Sequence, residues 1–163
     1  YMRNCPVSEL TELIIPFLER AGYSVSGIDR HWLEMAVSAV RDYMVTLSDA
    51  GKALDVFLND DIRVEQKALE FILEKESRLR LIEALLKEVE KVKELKPETF
   101  KRILKNIGKE LKLKGKELFM PVRIALTGKT EGVDINLLVP LLGRERVLKR
   151  LTLTLKQVEG RAR

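Results

Sequence analysis

Apolar residues return every three or four positions along most of this chain, the spacing that lays one buried face along a helix. Leu10, Leu13, Ile14, Phe17, Leu18 and Ala21 form the first such stripe. It predicts a helix over residues 6–22, opened by a proline suited to a first turn and closed by Gly22. Pro16 removes the backbone bond to Glu12 and should kink it. Leu33, Ala36, Val37, Val40, Met44 and Leu47 predict a second helix, from an Asp29 cap to Leu47. Gly51 marks a turn over residues 48–52. An apolar segment, Ala53-Leu54-Asp55-Val56-Phe57-Leu58, then runs into the acidic turn Asn59-Asp60-Asp61.

Further helices follow over residues 63–73 and 77–94, the latter with Leu81, Ile82, Leu85, Leu86, Val89 and Val92 on one face. Lys96-Pro97-Glu98 restarts the chain as a helix with Phe100, Ile103, Leu104, Ile107 and Leu111 turned inward. Residues 116–126 are ambiguous, since Val122-Arg123-Ile124-Ala125 passes for a strand. No partner strand is apparent, so helix is expected, bent at Pro121. Asp134 is placed to cap an apolar helix through Leu142, and a last helix runs over residues 144–158. The expected fold is all-α, in two consecutive helical subdomains at 1–54 and 55–163.

Composition changes this picture little. The 163 residues are 45% apolar and 34% charged, proportions of a soluble helical protein. A single cysteine, Cys5, excludes an internal disulfide framework and points to a reducing, cytoplasmic setting. No signal peptide and no membrane-length apolar run is visible, so no membrane is expected as partner. The chain opens on Tyr1 as though within a longer sequence, which suggests a fragment.

Charge placement changes it more. Residues 1–54 carry a net −2, residues 55–94 a net −3 and residues 95–163 a net +10. That asymmetry favours a polyanionic partner, nucleic acid ahead of anionic membrane.

Chemistry is chiefly absent. Gly128-Lys129-Thr130 ends like a phosphate-binding loop, but Arg123 stands where that loop needs a glycine. Asp60 and Asp61 lack the spacing and companions of a metal loop, so no metal is expected and a solvated turn is. Cys5 and His31 are singletons, so no nucleophile–base set assembles and no catalytic residue is assigned. Trp32 suits a packing anchor better than a base-stacking platform.

Two segments carry more specific information: Pro121-Val122-Arg123-Ile124-Ala125-Leu126-Thr127-Gly128, and Leu141-Leu142-Gly143-Arg144-Glu145-Arg146. Their order and spacing resemble the C-terminal anticodon-binding region of bacterial glutamyl-tRNA synthetases. The resemblance covers the whole chain, specifically from 118 to 151 and weakly before 75. It implies two α-helical subdomains of the class I glutamyl-tRNA synthetase type, gripping the anticodon arm of glutamate tRNA. It also implies a catalytic part elsewhere that uses ATP and magnesium to join glutamate to tRNA. This chain, with neither the paired-histidine signature nor the lysine-rich loop of such sites, is expected to be no enzyme alone and to hold no cofactor.

By the same resemblance Arg123 is a base reader, and the turn over residues 129–135 lines its pocket, with Met120, Gly132, Val133 and Ile135 as companions. Family members that charge only glutamate tRNA place an arginine on the second helix that favours the last anticodon base, C. Tyr43 aligns there, two residues after Arg41. A tyrosine lacks the guanidinium fork but stacks on either base. The resemblance therefore implies a relaxed parent that also loads glutamine tRNA and needs an amidotransferase to correct the product. Tyr43 also continues the stripe of Ala36, Val40 and Leu47, which gives it an alternative place in the core. Two other readings stay open: a standalone RNA-binding domain, and a helical adaptor binding proteins through its mixed-charge faces.

Overall fold

The computed structural model describes residues 4–162. Among the described residues eight α-helices run in the order α1 (Val7–Arg20), α2 (Arg30–Val40), α3 (Ala50–Leu58), α4 (Gln66–Leu73), α5 (Glu76–Lys91), α6 (Pro97–Leu111), α7 (Lys116–Thr127) and α8 (Ile135–Ala162). Short 3₁₀ turns at Arg41–Tyr43 and Leu47–Asp49 lie between α2 and α3. No strand occurs among the described residues, so the all-α expectation holds and residues 116–126 are helical. No described helix is long and apolar enough to cross a membrane.

The chain divides into two compact units, Tyr1–Asn59 and Asp60–Arg163. The division comes five residues after the sequence boundary at 54, which falls within α3. That helix turns Leu54 and Phe57 into the core of the first unit, and so carries the chain past residue 54 before it can leave.

The first unit packs α1, α2 and α3 about Leu10, Ile14, Leu18, Leu33, Val37, Leu54 and Phe57. Leu13 is 36% exposed and Ala21 is exposed, so the α1 stripe is narrower than its spacing suggested. α1 ends in a Schellman turn, with Tyr23 N–H on the Leu18 carbonyl (3.0 Å) and Gly22 N–H on that of Glu19 (3.1 Å). Asp29 caps α2 through the Trp32 N–H at 2.9 Å. Trp32 meets Phe57 edge to face at 6.2 Å, the packing role expected of it.

α2 stops at Val40, not at Leu47. The cause is a second start signal in Thr46-Leu47-Ser48-Asp49, a capping box. The Asp49 carboxylate accepts from the N–H groups of Val45 and Thr46, both at 2.9 Å, which holds Met44 extended and begins the next helix. Those bonds also keep the Asp49 pKa below the usual carboxylate range. The expected turn at 48–52 is therefore the start of α3, with Gly51 buried inside it.

In the second unit α5 is the hub, packed by α4, α6, α7 and α8. Leu81, Ile82, Leu85 and Val89 face these neighbours and are fully buried. α8 is interrupted at Gly143, whose φ of 79° and ψ of 166° leave the helical region. An apolar half, residues 135–142, is thus set off from a basic half, residues 144–162, as the sequence anticipated.

Candidate nucleic-acid interface

The sequence-predicted site is assembled by α7 and the turn that follows it. Lys116, Phe119, Met120 and Arg123 fall at helical spacing on one face of α7. Asp134, Ile135 and Asn136, where α8 begins, form the opposite wall of a groove of about 410 Å³. Asp134 caps that helix as expected, accepting the Asn136 N–H at 2.9 Å.

Arg123 is half-buried at the groove, and its Nη1 donates to the Val133 carbonyl at 2.8 Å. A guanidinium has five N–H donors in a planar fork, so this bond anchors one nitrogen and leaves donors over for a ligand. Met120 and Ile135 line the same groove. Val133 is buried and contributes its carbonyl, not its side chain. Gly132 sits beside Arg123: a Cβ there would come within 3.8 Å of Nη1.

The frame around this groove is rigid for reasons the sequence hid. A helix C-terminus leaves its last carbonyls without intrahelical donors. In α7 they are met from elsewhere in the unit. Thr154 Oγ1 donates to the Ala125 carbonyl (3.0 Å) and Arg150 Nη1 to that of Leu126 (2.9 Å), while the cap's own Gly128 N–H closes on the Ile124 carbonyl (2.7 Å). Gly128 then passes so close to the backbone at Arg63 that a Cβ would lie 2.4 Å from the Arg63 oxygen. Its own carbonyl accepts Glu65 N–H at 2.9 Å, and Gln157 brackets the adjoining Val64 backbone with two bonds of 3.0 and 2.9 Å.

The other end of α7 is pinned by charge. Arg78 of α5, 5% exposed, grips Glu117 with two bonds, Nη2–Oε1 at 2.7 Å and Nε–Oε2 at 3.0 Å. Its plane lies 3.5 Å over the Phe71 ring, and Nη1 donates to the Phe71 carbonyl at 2.6 Å. The Arg78 bond, outweighing desolvation and helped by Lys75, draws the Glu117 pKa down to about 2. Arg78 itself, hydrogen-bonded to Glu117, is held more firmly cationic.

The basic residues divide into two kinds. Arg144 donates to the Val92 (2.6 Å) and Glu90 (3.1 Å) carbonyls at the end of α5, favourable for a cation at a helix C-terminus. Arg146 pairs with Asp60 at 2.9 Å, which makes the acidic turn a partner for α8 and corrects its reading as merely solvated. Arg150 is buried on the end of α7. The second arginine-bearing segment is thus a set of internal braces. Arg123 is the arginine of the resemblance that reaches the groove.

Lys116 and Phe119 line the groove and were missed, although their spacing from Arg123 on a helix was a usable signal. Phe119 is 47% exposed, a ring at the surface where a planar ligand could stack. Arg41 and Tyr43 belong to the first unit. Arg41 is half-buried and donates from Nη2 to the Cys5 carbonyl at 2.6 Å. Tyr43 lies on a 3₁₀ turn and not on the second helix, and it is 59% exposed, which removes its alternative place in the core.

Known proteins align with this architecture. The chain is 33% identical over 159 residues to a glutamate–tRNA ligase of Desulforamulus reducens, covering 96% of this chain and 33% of that protein. It is 37% identical over 162 residues to that of Aquifex aeolicus, covering 97% and 33%. The chain spans about a third of the length of the curated relatives it matches. Among solved structures, a glutamate tRNA ligase from Elizabethkingia meningosepticum in complex with its amino acid superposes with a TM-score of 0.81 at 16% identity. It covers 97% of this chain and 30% of that one, a likeness of fold. Residues 9–155 match the family model described as "Anticodon binding domain", and the chain belongs to that family.

Proposed function

We propose that this chain is the anticodon-binding part of a glutamate–tRNA ligase, and that the α7–α8 groove takes an anticodon base of glutamate tRNA. The observation that carries this is Arg123. Its Nη1 is held by the Val133 carbonyl, with donors to spare, at a groove that also presents Met120 and Phe119. Bases of single-stranded loops are recognised by stacking together with hydrogen bonds to their edges, and this groove offers both. ATP-dependent joining of glutamate to tRNA belongs, in this reading, to parts of the protein outside this chain. Among the described residues no three His, Cys, Asp or Glu side chains gather. Activity assays on the chain alone should find no glutamate activation.

The exposure of Tyr43 supports a relaxed reading of the last anticodon base. A ring stacks on C or G alike, so the parent would charge glutamine tRNA as well, with an amidotransferase to correct the product. Charging both tRNAs with the full-length protein tests this; a strong preference for the C-ended anticodon contradicts it.

The primary test is binding. Titration of the chain with glutamate-tRNA transcripts that differ only in the anticodon should show weaker binding for altered anticodons. Equal affinity across the set would exclude base reading.

A further inference from the structure

The net charge of the whole chain is +5, and residues 97–116 alone carry that amount, with seven Lys/Arg against Glu98 and Glu110. All seven cations are exposed. Lys101, Lys105 and Lys109 recur every four residues and form one stripe along about 12 Å of α6, at 1.5 Å per residue. Lys112 at the helix end, Lys114 and Lys116 continue the track. Elsewhere in the unit some surface cations are paired, Arg80 with Glu76 and Lys91 with Glu88, each at 3.0 Å. In α8, Arg144 and Arg150 bind backbone carbonyls and Arg146 pairs with Asp60. Among the described residues, none of the α6 lysines has an ion-pair partner.

A stripe of like charge repels itself, an effect that only Lys109, in the last turn of α6, offsets through the helix dipole. Polyanion binding gives such a stripe a purpose. The apolar side of α6, with Phe100, Ile103, Leu104 and Ile107, is buried, so no apolar face is left to insert into a lipid surface. The track also ends at Lys116, which lines the groove beside Arg123. That continuity points to one ligand that presents phosphates to α6 and a base to the groove.

We propose that Lys101, Lys105 and Lys109 form a sequence-independent contact for an RNA backbone, leading phosphates towards the base site at Arg123. This rests on the reading of the groove as a base site, and adds a separate source of affinity that is blind to anticodon sequence.

The test measures the Kd of a glutamate-tRNA transcript against KCl concentration for the chain and for Lys101→Gln/Lys105→Gln/Lys109→Gln. Glutamine keeps the helix propensity and removes the charge. A charge-matched control, Lys67→Gln/Lys87→Gln/Lys91→Gln, lies on α4 and α5. Each lost phosphate contact flattens the log–log slope by roughly 0.7–0.9, so the α6 variant should be shallower by about 2. The ratio of affinities between anticodon variants should not change. Equal slopes for the α6 variant and the unaltered chain would overturn the proposal, as would an equal flattening by the control. Loss of binding to anionic vesicles in the α6 variant, with the RNA slope unchanged, would assign the stripe to membranes and overturn it too. If the unaltered chain ignores the anticodon while the α6 variant still flattens the slope, the base site fails and the backbone contact stands. No binding of tRNA by the unaltered chain overturns both.

Discussion

Replacing Glu117 by glutamine isolates the charge that anchors α7 while keeping the side-chain shape. Glu117 has a pKa of about 2, against an ordinary 4.5, because Arg78 and then Lys75 favour its anion. A depressed carboxylate pKa contributes stability above the unfolded-state value, and loses it as pH falls through the folded one. The window is thus from about pH 5 down to about pH 2. At about 1.4 kcal/mol per unit the full linkage would be roughly 3 kcal/mol. A third of the Glu117 side chain meets solvent, and screening reduces this to about 1–2 kcal/mol. With a urea slope of about 2 kcal/mol per molar, the midpoint of helix loss should move by about 0.5–1 M for the full linkage. Circular dichroism during urea titration at pH 7 and pH 3 reads this directly. Between pH 7 and pH 3 the unaltered chain should lose more stability than Glu117→Gln, by roughly 60% of that amount, because pH 3 still lies above the folded pKa. Identical losses in the two proteins would refute the anchoring role of the pair.

Two further substitutions probe the frame. Gly128→Ala combines a left-handed φ of 78° with a Cβ 2.4 Å from the Arg63 oxygen, and should cost about 2–4 kcal/mol in a urea titration. Tyr23, half-buried and bonded to Asp55, has its pKa raised to about 12 by desolvation and by that bond. Its stabilising contribution is complete below about pH 10 and is lost as pH rises through 12, so Tyr23→Phe should abolish a late step in the phenolate absorbance titration.

The helices were legible because their apolar stripes are strongly periodic, and Arg123 because it stands in a segment with a recognisable order of residues. What the sequence obscured has a common cause. Arg78, Arg144 and Arg150 bind backbone carbonyls or a glutamate 39 residues away, and no side-chain pattern marks a carbonyl as a partner. Basic content alone therefore merged internal braces with exposed charge. The early end of α2 was legible in principle: Thr46 and Asp49 are at capping-box spacing, but the apolar stripe runs through Met44 and Leu47 and masks it. Tyr43 followed that stripe onto the wrong element. Lys116 and Phe119 needed the helix to be certain before their alignment with Arg123 meant anything.

The account turns on Arg123 touching a base, and a double-mutant cycle asks that question alone. Kd values are measured for the chain and for Arg123→Met, each with glutamate-tRNA transcripts carrying the native anticodon and single anticodon substitutions. A base contact predicts that Arg123→Met weakens native binding by about 1–3 kcal/mol and that one anticodon position then ceases to matter, giving a coupling of similar size. Strictly additive effects at every anticodon position would show Arg123 to be surface charge and contradict the account.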